Sequence, residues 1–417
     1  MLRILRSSDR EAVASLFARR SARMEQAEAV VGPILEAVRT RGDAALLEYA
    51  KKFDRLEADT VRVEPERLKT AAKALPPELC EAVAVASAQI RKFAELQAPK
   101  PWTREVGEGI RLGQIVRPLD SVAAYIPGGR YPLPSTLMMT VLPAQVAGVP
   151  TVSVCSPGPG PATLGTAGLL GVENFFHMGG AQAIAAFAFG TETVPKAERI
   201  VGPGNIYVAA AKKMLAGDVG IDFVAGPTEI LLIFPEGDPA ALAADMLAQA
   251  EHDVDAAAIL LTTSRELADQ VADEVERQLV GLPTGDVASQ AIANNSAVVV
   301  TESVDEACEL SNKFAPEHLS IADESMLEKI VNAGSVFIGP WSPEAAGDYA
   351  SGPNHVLPTS GAAMLRGGLS ITDYLKVITV QQLSPEGLQR IAGAVTTLAR
   401  AEGLEAHARS VEVRIRD

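Results

Sequence analysis

From Lys100 onward, short β-branched or apolar runs alternate with helical segments, and Gly and Pro punctuate the junctions. No other feature restricts the fold as much, because strands and helices in alternation build parallel sheets whose faces the helices cover. Strands are expected at 122–126, 151–155, 174–178, 199–201, 229–234, 257–262, 297–301 and 335–338. Helices are expected at 135–147, 180–189, 205–216, 239–252, 265–279, 304–314 and 386–401. This α/β pattern suits two doubly wound sheets; a TIM barrel is second choice, since a long helical N-terminus and Gly-rich turns of unequal length fit it less well. The Pro- and Gly-rich piece at 156–165 follows a strand directly and reads as a turn entering a helix.

The first hundred residues have another texture. Val13, Leu16 and Phe17 form one helical apolar face, residues 34–53 supply a second, and a further helix is expected at 77–96. With almost no strand signal, this stretch is expected to buttress a sheet built later in the chain. Beyond Ile371 the sequence returns to helix, as an arm or small C-terminal unit.

At 417 residues with 47% hydrophobic and 21% charged residues, the chain is long enough for two lobes and a large core. A net charge of -15 opposes binding to a phosphate backbone, so no nucleic-acid role is expected. Cys80, Cys155 and Cys308 are odd in number and far apart, as in a reduced cytosolic protein. No apolar run has the length of a membrane span, and MLRILRSSDREAV turns charged too soon for a secretory signal; a cytoplasmic location is expected.

Five histidines are present, at 177, 252, 318, 355 and 407, so imidazole chemistry has few sources. In LAQAEHD, Gln249 and His252 stand three residues apart, a spacing that stacks two potential metal ligands on one helical face. GDYASGPNHVLPT brings Asp348, Asn354 and His355 into a Gly- and Pro-punctuated loop, where Asp348 could join that pair. KFAPEHLS sets Glu317 beside His318, either as a carboxylate and imidazole lining one pocket for proton transfer or as a salt-bridged surface loop. EGLEAHARS places Glu402 and His407 after an Ala-rich helix, where the local pattern reads as surface.

Four Gly-rich stretches, YIPGGRYPLPS, HMGGAQAIAAFAFGT, VGPGNIYVAAAKK and FVAGPTE, stand beside strands. Each is either a tight turn or a place where backbone N–H groups approach an anion. Neither a GxGxxG fingerprint nor a phosphate-loop lysine motif is present. Four such turns together suggest a cofactor crevice at the carboxyl ends of the strands. Cys155 ends a strand without a nearby base and reads as a core residue. Ser135 and Thr228 lack a GxSxG elbow, which leaves a hydrolase without support.

In order along the chain, YIPGGR, GGAQAIAAFAFGTE, VGPGN, AGPTE, LAQAEHD, APEH, GDYASGPNHVLPT and EGLEAH resemble the histidinol dehydrogenase family over essentially the whole length. The resemblance implies a zinc- and NAD+-dependent oxidation of L-histidinol to L-histidine through L-histidinaldehyde, in a homodimer with shared active sites. It implies zinc on Gln249, His252, Asp348 and His407, the last from the partner subunit. Glu317 and His318 become the acid/base residues, with Thr228, His355 and Glu402 completing the substrate contacts and Tyr125, Gln182 and Asn205 touching NAD+. The implied fold has two Rossmann-like domains. A helical segment at 1–20 precedes a larger domain of 21–124 with 229–368, which carries the metal and catalytic residues. Residues 125–228 form an inserted NAD+ domain, and 369–417 an arm reaching the partner. Two departures stand out: Thr228 replaces a common Ser, and Arg130 with Tyr131 is bulkier than usual. A paralogous alcohol dehydrogenase acting on another polyol or a sulfonated diol is the alternative that Arg130 raises.

Overall fold

The apolar runs pair as the alternation requires. The computed structural model describes residues 2–18, 24–128 and 132–415, so Arg130 and Tyr131 lie outside the described residues. One six-stranded sheet has the order β1 (Arg3–Arg6), β12 (Ala297–Val300), β11 (Ala257–Thr262), β10 (Glu229–Ile233), β13 (His318–Ile321), β14 (Ser335–Ile338), all parallel. A second has the order β2 (Arg62–Val63), β7 (Asn174–His177), β6 (Thr151–Ser156), β5 (Ser121–Tyr125), β8 (Arg199–Val201), β9 (Gly220–Ile221), with only β2 antiparallel to its neighbour. In each, three consecutive strands step outward from the centre before the chain returns to the other side of the first. That reversal is the doubly wound switch point, and it falls between β10 and β13 and between β5 and β8.

Burial explains why β10 reads as an unbroken apolar run, since both faces of a parallel sheet are covered. Ile230 and Leu232 pack under Leu242, Met246 and Val271, while Leu231 and Ile233 pack against Val13, Leu16 and Phe314 on the other side. The second sheet is covered likewise, by Leu46, Ile184 and Val208 on one face and by Leu68, Ile90 and Leu137 on the other. A third sheet, of β3 (Trp102–Gly107), β4 (Ile110–Pro118) and β15 (Leu375–Leu383), is antiparallel and precedes the C-terminal helices Pro385–Ala401 and Glu405–Glu412.

The N-terminal tenth of the chain differs from its reading as purely helical. Residues 3–6 form β1, which adds to the edge of the first sheet through β12. RILR lies among charged residues with no Gly or Pro to bound it, so it does not stand out from its surroundings. The partition of 21–124 with 229–368 also differs from the packing: Val31, Leu35, Leu46, Leu68 and Ile90 all contribute to the cores around the second sheet. An amphipathic helix displays an apolar stripe but not the identity of the sheet that will cover it. No described helix is long and apolar enough to cross a membrane.

Where β8 gives way to the helix Ile206–Leu215, a buried ion pair closes the turn. Lys212 Nζ meets Asp222 Oδ1 and donates to Gly202 O, and Asp222 accepts from the backbone of Gly202 and Phe223. The two side chains are 3% and 0% exposed, so neither charge has water to fall back on. Replacing Lys212 by Met should therefore destabilise the protein by about 3–5 kcal/mol, the cost of stranding a buried charge, read as a lower denaturant midpoint. A change of under about 1 kcal/mol would mean that solvent reaches Asp222.

Candidate active site

Pairing of β13 with β10 assembles the site. His318 opens β13 opposite Ile230, so Glu317 lies beside Thr228 and Glu229 at the amino end of β10. One oxygen of Glu317 accepts from Thr228 Oγ1 at 2.6 Å and from the Glu229 N–H at 2.9 Å. Burial pushes the Glu317 carboxyl up from its ordinary value, against His318 and these two donors, which pull it down. KFAPEHLS is thus a buried strand start, not a surface loop: Glu317 is 6% and His318 4% exposed.

His318 is surrounded by acceptors. Its Nδ1 lies 3.2 Å from the Glu229 carbonyl, 3.2 Å from Glu344 Oε1 and 3.7 Å from Glu317 Oε2. Nε2 is 3.6 Å from Asp348 Oδ1 and, though buried, has no hydrogen-bond partner among the described residues. His318 lines a narrow cleft with Phe337, Gly347, Asp348, Asn354 and His355. Burial alone would lower the imidazole's pKa, but Glu344 first, then Glu317 and Asp348, raise it to about 10.

Asp348 sits in the short helix Glu344–Tyr349 rather than in a loop. It stands among three histidines: His318, His252 with Nε2 4.0 Å from Oδ2, and His355 with Nδ1 4.0 Å from Oδ1. Although burial opposes ionisation, those three hold its carboxyl below the ordinary value. His355 is fixed at both nitrogens, Nδ1 to the Asp348 carbonyl at 2.7 Å and Nε2 to Thr136 Oγ1 at 3.2 Å. Its own pKa is lowered by burial.

Gln249 and His252 do not share a helical face as the spacing predicts. The helix Pro239–Ala250 stops short, leaving Gln249 wholly buried inside it and His252 beyond its end with a side chain 42% exposed. His252 still reaches Asp348, because a helix antiparallel to β10 returns to that strand's amino end. Two zinc ligands at about 2.0–2.2 Å from the ion lie no more than about 4.3 Å apart, so the 4.0 Å between His252 Nε2 and Asp348 Oδ2 fits a shared ion. Gln249 closes the cluster from below, its amide 2.6 Å from Thr228 Oγ1. A second donor group, His318 with Glu344 and Asp348, has atoms all within 4.8 Å of one another and would also accept a cation.

The Gly-rich turns meet at the carboxyl ends of the second sheet. Tyr125 ends β5, Gln182 lies in the first turn of the helix Gly180–Phe189, and Asn205 caps the helix Ile206–Leu215. The turns are not the open anion cradles that their sequence suggests. Asp54 accepts from Gly179 N at 2.9 Å and Gln182 Nε2 at 3.0 Å, Tyr125 OH accepts from Gly180 N, and Asn205 accepts from Tyr207 N and Val208 N. The chain's own side chains already satisfy these helix starts. By contrast Glu317 and His318 lie at the amino ends of the first sheet, so a single crevice at carboxyl ends does not describe both clusters.

Glu402 and His407 are exposed, and among the described residues no hydrogen bond or ion pair joins either to the cluster. Cys155 is fully buried and burial raises its thiol pKa well above the usual range, consistent with a core residue.

This doubly wound scaffold has a counterpart among known proteins. The sequence model of the family described as histidinol dehydrogenase matches residues 17–415. The chain belongs to the histidinol dehydrogenase family. It is 46% identical over 414 residues to histidinol dehydrogenase of Geobacter sulfurreducens, covering 97% of this chain and 96% of that one. Identity is also 46% over 400 residues to the enzyme of Methanothermobacter thermautotrophicus, covering 93% and 94%. The crystal structure of histidinol dehydrogenase from Elizabethkingia anophelis matches at a TM-score of 0.95 and 39% identity, covering 99% of this chain and 98% of that one. As a histidinol dehydrogenase family member, the chain is an NAD-dependent oxidoreductase.

One buried residue of this histidinol dehydrogenase fold escaped the sequence reading. Glu344, 3% exposed, precedes Asp348 by four residues, so both carboxylates project from one side of their helix. That spacing in PEAAGD was the available signal.

Proposed function

We propose that this chain oxidises L-histidinol to L-histidine through L-histidinaldehyde, passing four electrons to two NAD+ at the end of histidine biosynthesis in the cytoplasm. The observation that carries the reading is the buried pair Glu317 and His318, with His318 lining the cleft beside Asp348 and His355 and its Nε2 without a hydrogen bond among the described residues.

Gln249, His252 and Asp348 would hold a zinc ion, with His407 of the partner subunit as the fourth protein ligand. When bound, zinc supplies a positive charge that grips and orients the substrate's amine and imidazole. His318 Nε2 takes the alcohol proton of the substrate, and NAD+, when bound, would supply the acceptor for the hydride that each oxidation releases. Glu317 then removes a proton from water as it attacks the aldehyde carbon. His318, once its first proton has passed to solvent, takes a hydroxyl proton of the hydrate, and the carboxylic acid left by the second oxidation ionises to the carboxylate. A carboxyl raised by burial is a stronger base than a solvated one, which suits Glu317 to that step. With Asp348 committed as a ligand, His318 answers chiefly to Glu317 and Glu344, and its proton is easier to lose.

Thr228, His355 and Glu402 of the partner subunit would complete the substrate's polar contacts, and Tyr125, Gln182 and Asn205 would meet NAD+. The arm supports a homodimer with shared sites: Val377, Ile378, Val380 and Leu383 on β15 and Leu398 and Leu404 beyond it are exposed apolar residues, which a second copy would cover. NADH formation with L-histidinol, measured against a panel of small polyols and sulfonated diols, tests the reading. Turnover is expected with L-histidinol; turnover of a diol without it would select the paralogous dehydrogenase instead.

A further inference from the structure

Glu344 is a buried acid with no assigned task, and its contacts reach both halves of the site. Its Oε1 lies 3.2 Å from His318 Nδ1, the ring nitrogen that faces away from the cleft. On its other side is the Gln249 amide. Turned over, that amide donates N–H to the two Glu344 oxygens and accepts the single Thr228 hydroxyl proton at 2.6 Å, the proton that otherwise goes to Glu317. Thr228 in turn contacts Glu317. One carboxylate therefore stands between the acid/base histidine and a ligand-bearing helix.

The geometry of the ring explains what such a group does. An imidazole acts as a proton carrier when one nitrogen is held by an acceptor and the other is left for the reacting atom. Here the Glu229 carbonyl and Glu344 occupy the Nδ1 side, and Nε2 is the buried atom without a partner. The backbone carbonyl and Glu344 Oε1, each 3.2 Å from Nδ1, are its nearest acceptors and fix the ring's direction, with Glu317 Oε2 further off at 3.7 Å.

We propose that Glu344 is a positioning residue that acts through His318, holding its ring with Nε2 toward the cleft and stabilising the imidazolium formed there. This rests on the assignment of His318 as the proton carrier. Glu344→Gln preserves volume and an acceptor oxygen while removing the charge. By comparison with other outer partners of site residues, its kcat with L-histidinol and NAD+ should fall about 10–100-fold, with KM for L-histidinol changed less than about threefold. Glu344→Asp should recover part of the loss.

The decisive comparison is the same substitution made in His318→Ala. If Glu344 acts through His318, Glu344→Gln adds less than a threefold loss in that background. An equal loss in both backgrounds, or an unchanged kcat in the single variant, would overturn the proposal. Loss of zinc from Glu344→Gln would also overturn it, making the residue a ligand. Because the chain has five histidines, ¹⁵N-histidine spectra give a readout independent of activity: the His318 Nδ1–H signal should shift in Glu344→Gln, and an unchanged signal counts against the idea. Wild-type kcat in His318→Ala would instead defeat the proton-carrier assignment itself.

Discussion

His318→Ala is expected to lower kcat by about 10²–10⁴-fold, the range that a positioned acid/base group contributes, while zinc stays bound. The upper part of that range is expected because the proposed mechanism uses His318 in both oxidations. Its Nε2 is a buried ring atom with no hydrogen bond among the described residues, 3.6 Å from Asp348 Oδ1, whereas both nitrogens of His355 are hydrogen-bonded. Steady-state NADH formation and metal analysis on one preparation check the prediction. Retained turnover would show that another group carries the proton, and loss of zinc would move His318 into the metal's ligand set, where its contact with Glu344 and Asp348 would then belong.

Replacing His252 by Ala should have the complementary effect. Zinc affinity should fall by more than the 10–100-fold that outer partners are worth, and activity should fall with it and return in part with excess zinc. His252 is the half-exposed member of the cluster and meets Asp348 across 4.0 Å. Among the described residues no hydrogen bond or ion pair joins it to Glu317, which leaves it no part in water activation. Dialysis against a chelator followed by metal titration separates the two variants. Equal metal loss in both would contradict the division between a substrate-holding zinc and a proton-carrying pair.

The sequence carried the sheet-forming elements well where local chemistry marks their ends. Arg265–Leu279 and Val304–Phe314 begin and end as expected because Ser264 and Ser303 cap them, accepting from Leu267 N and Glu306 N. Strands β1 and β13 were not visible as strands because RILR lies among charged residues with no Gly or Pro to bound it and HLSI opens at the polar pair Glu317 and His318; the antiparallel β3, β4 and β15 were missed too, β15 lying where the sequence reads as a return to helix. The polar opening of β13 also hid the setting of His318, which the reading had as an extended segment of open burial. Which end of a sheet a residue occupies is also not written locally. LAQAEHD follows a strand in sequence, but its helix runs back beside β10, and this return puts His252 at the amino end next to Asp348. Glu344 was passed over because the eye enters GDYASGPNHVLPT at Gly347, although the acid four residues before Asp348 shares its helical face. His407 and Glu402 were legible only through the family resemblance: nothing in a single chain brings them to the cluster.

The most direct test of the account is the yield of NADH per L-histidinol consumed at completion, with NAD+ in excess. Two oxidations at one site, with Glu317 supplying water between them, predict two NADH and L-histidine as the only product. One NADH with accumulated aldehyde would contradict it, by showing that the Glu317 and His318 pair completes a single oxidation.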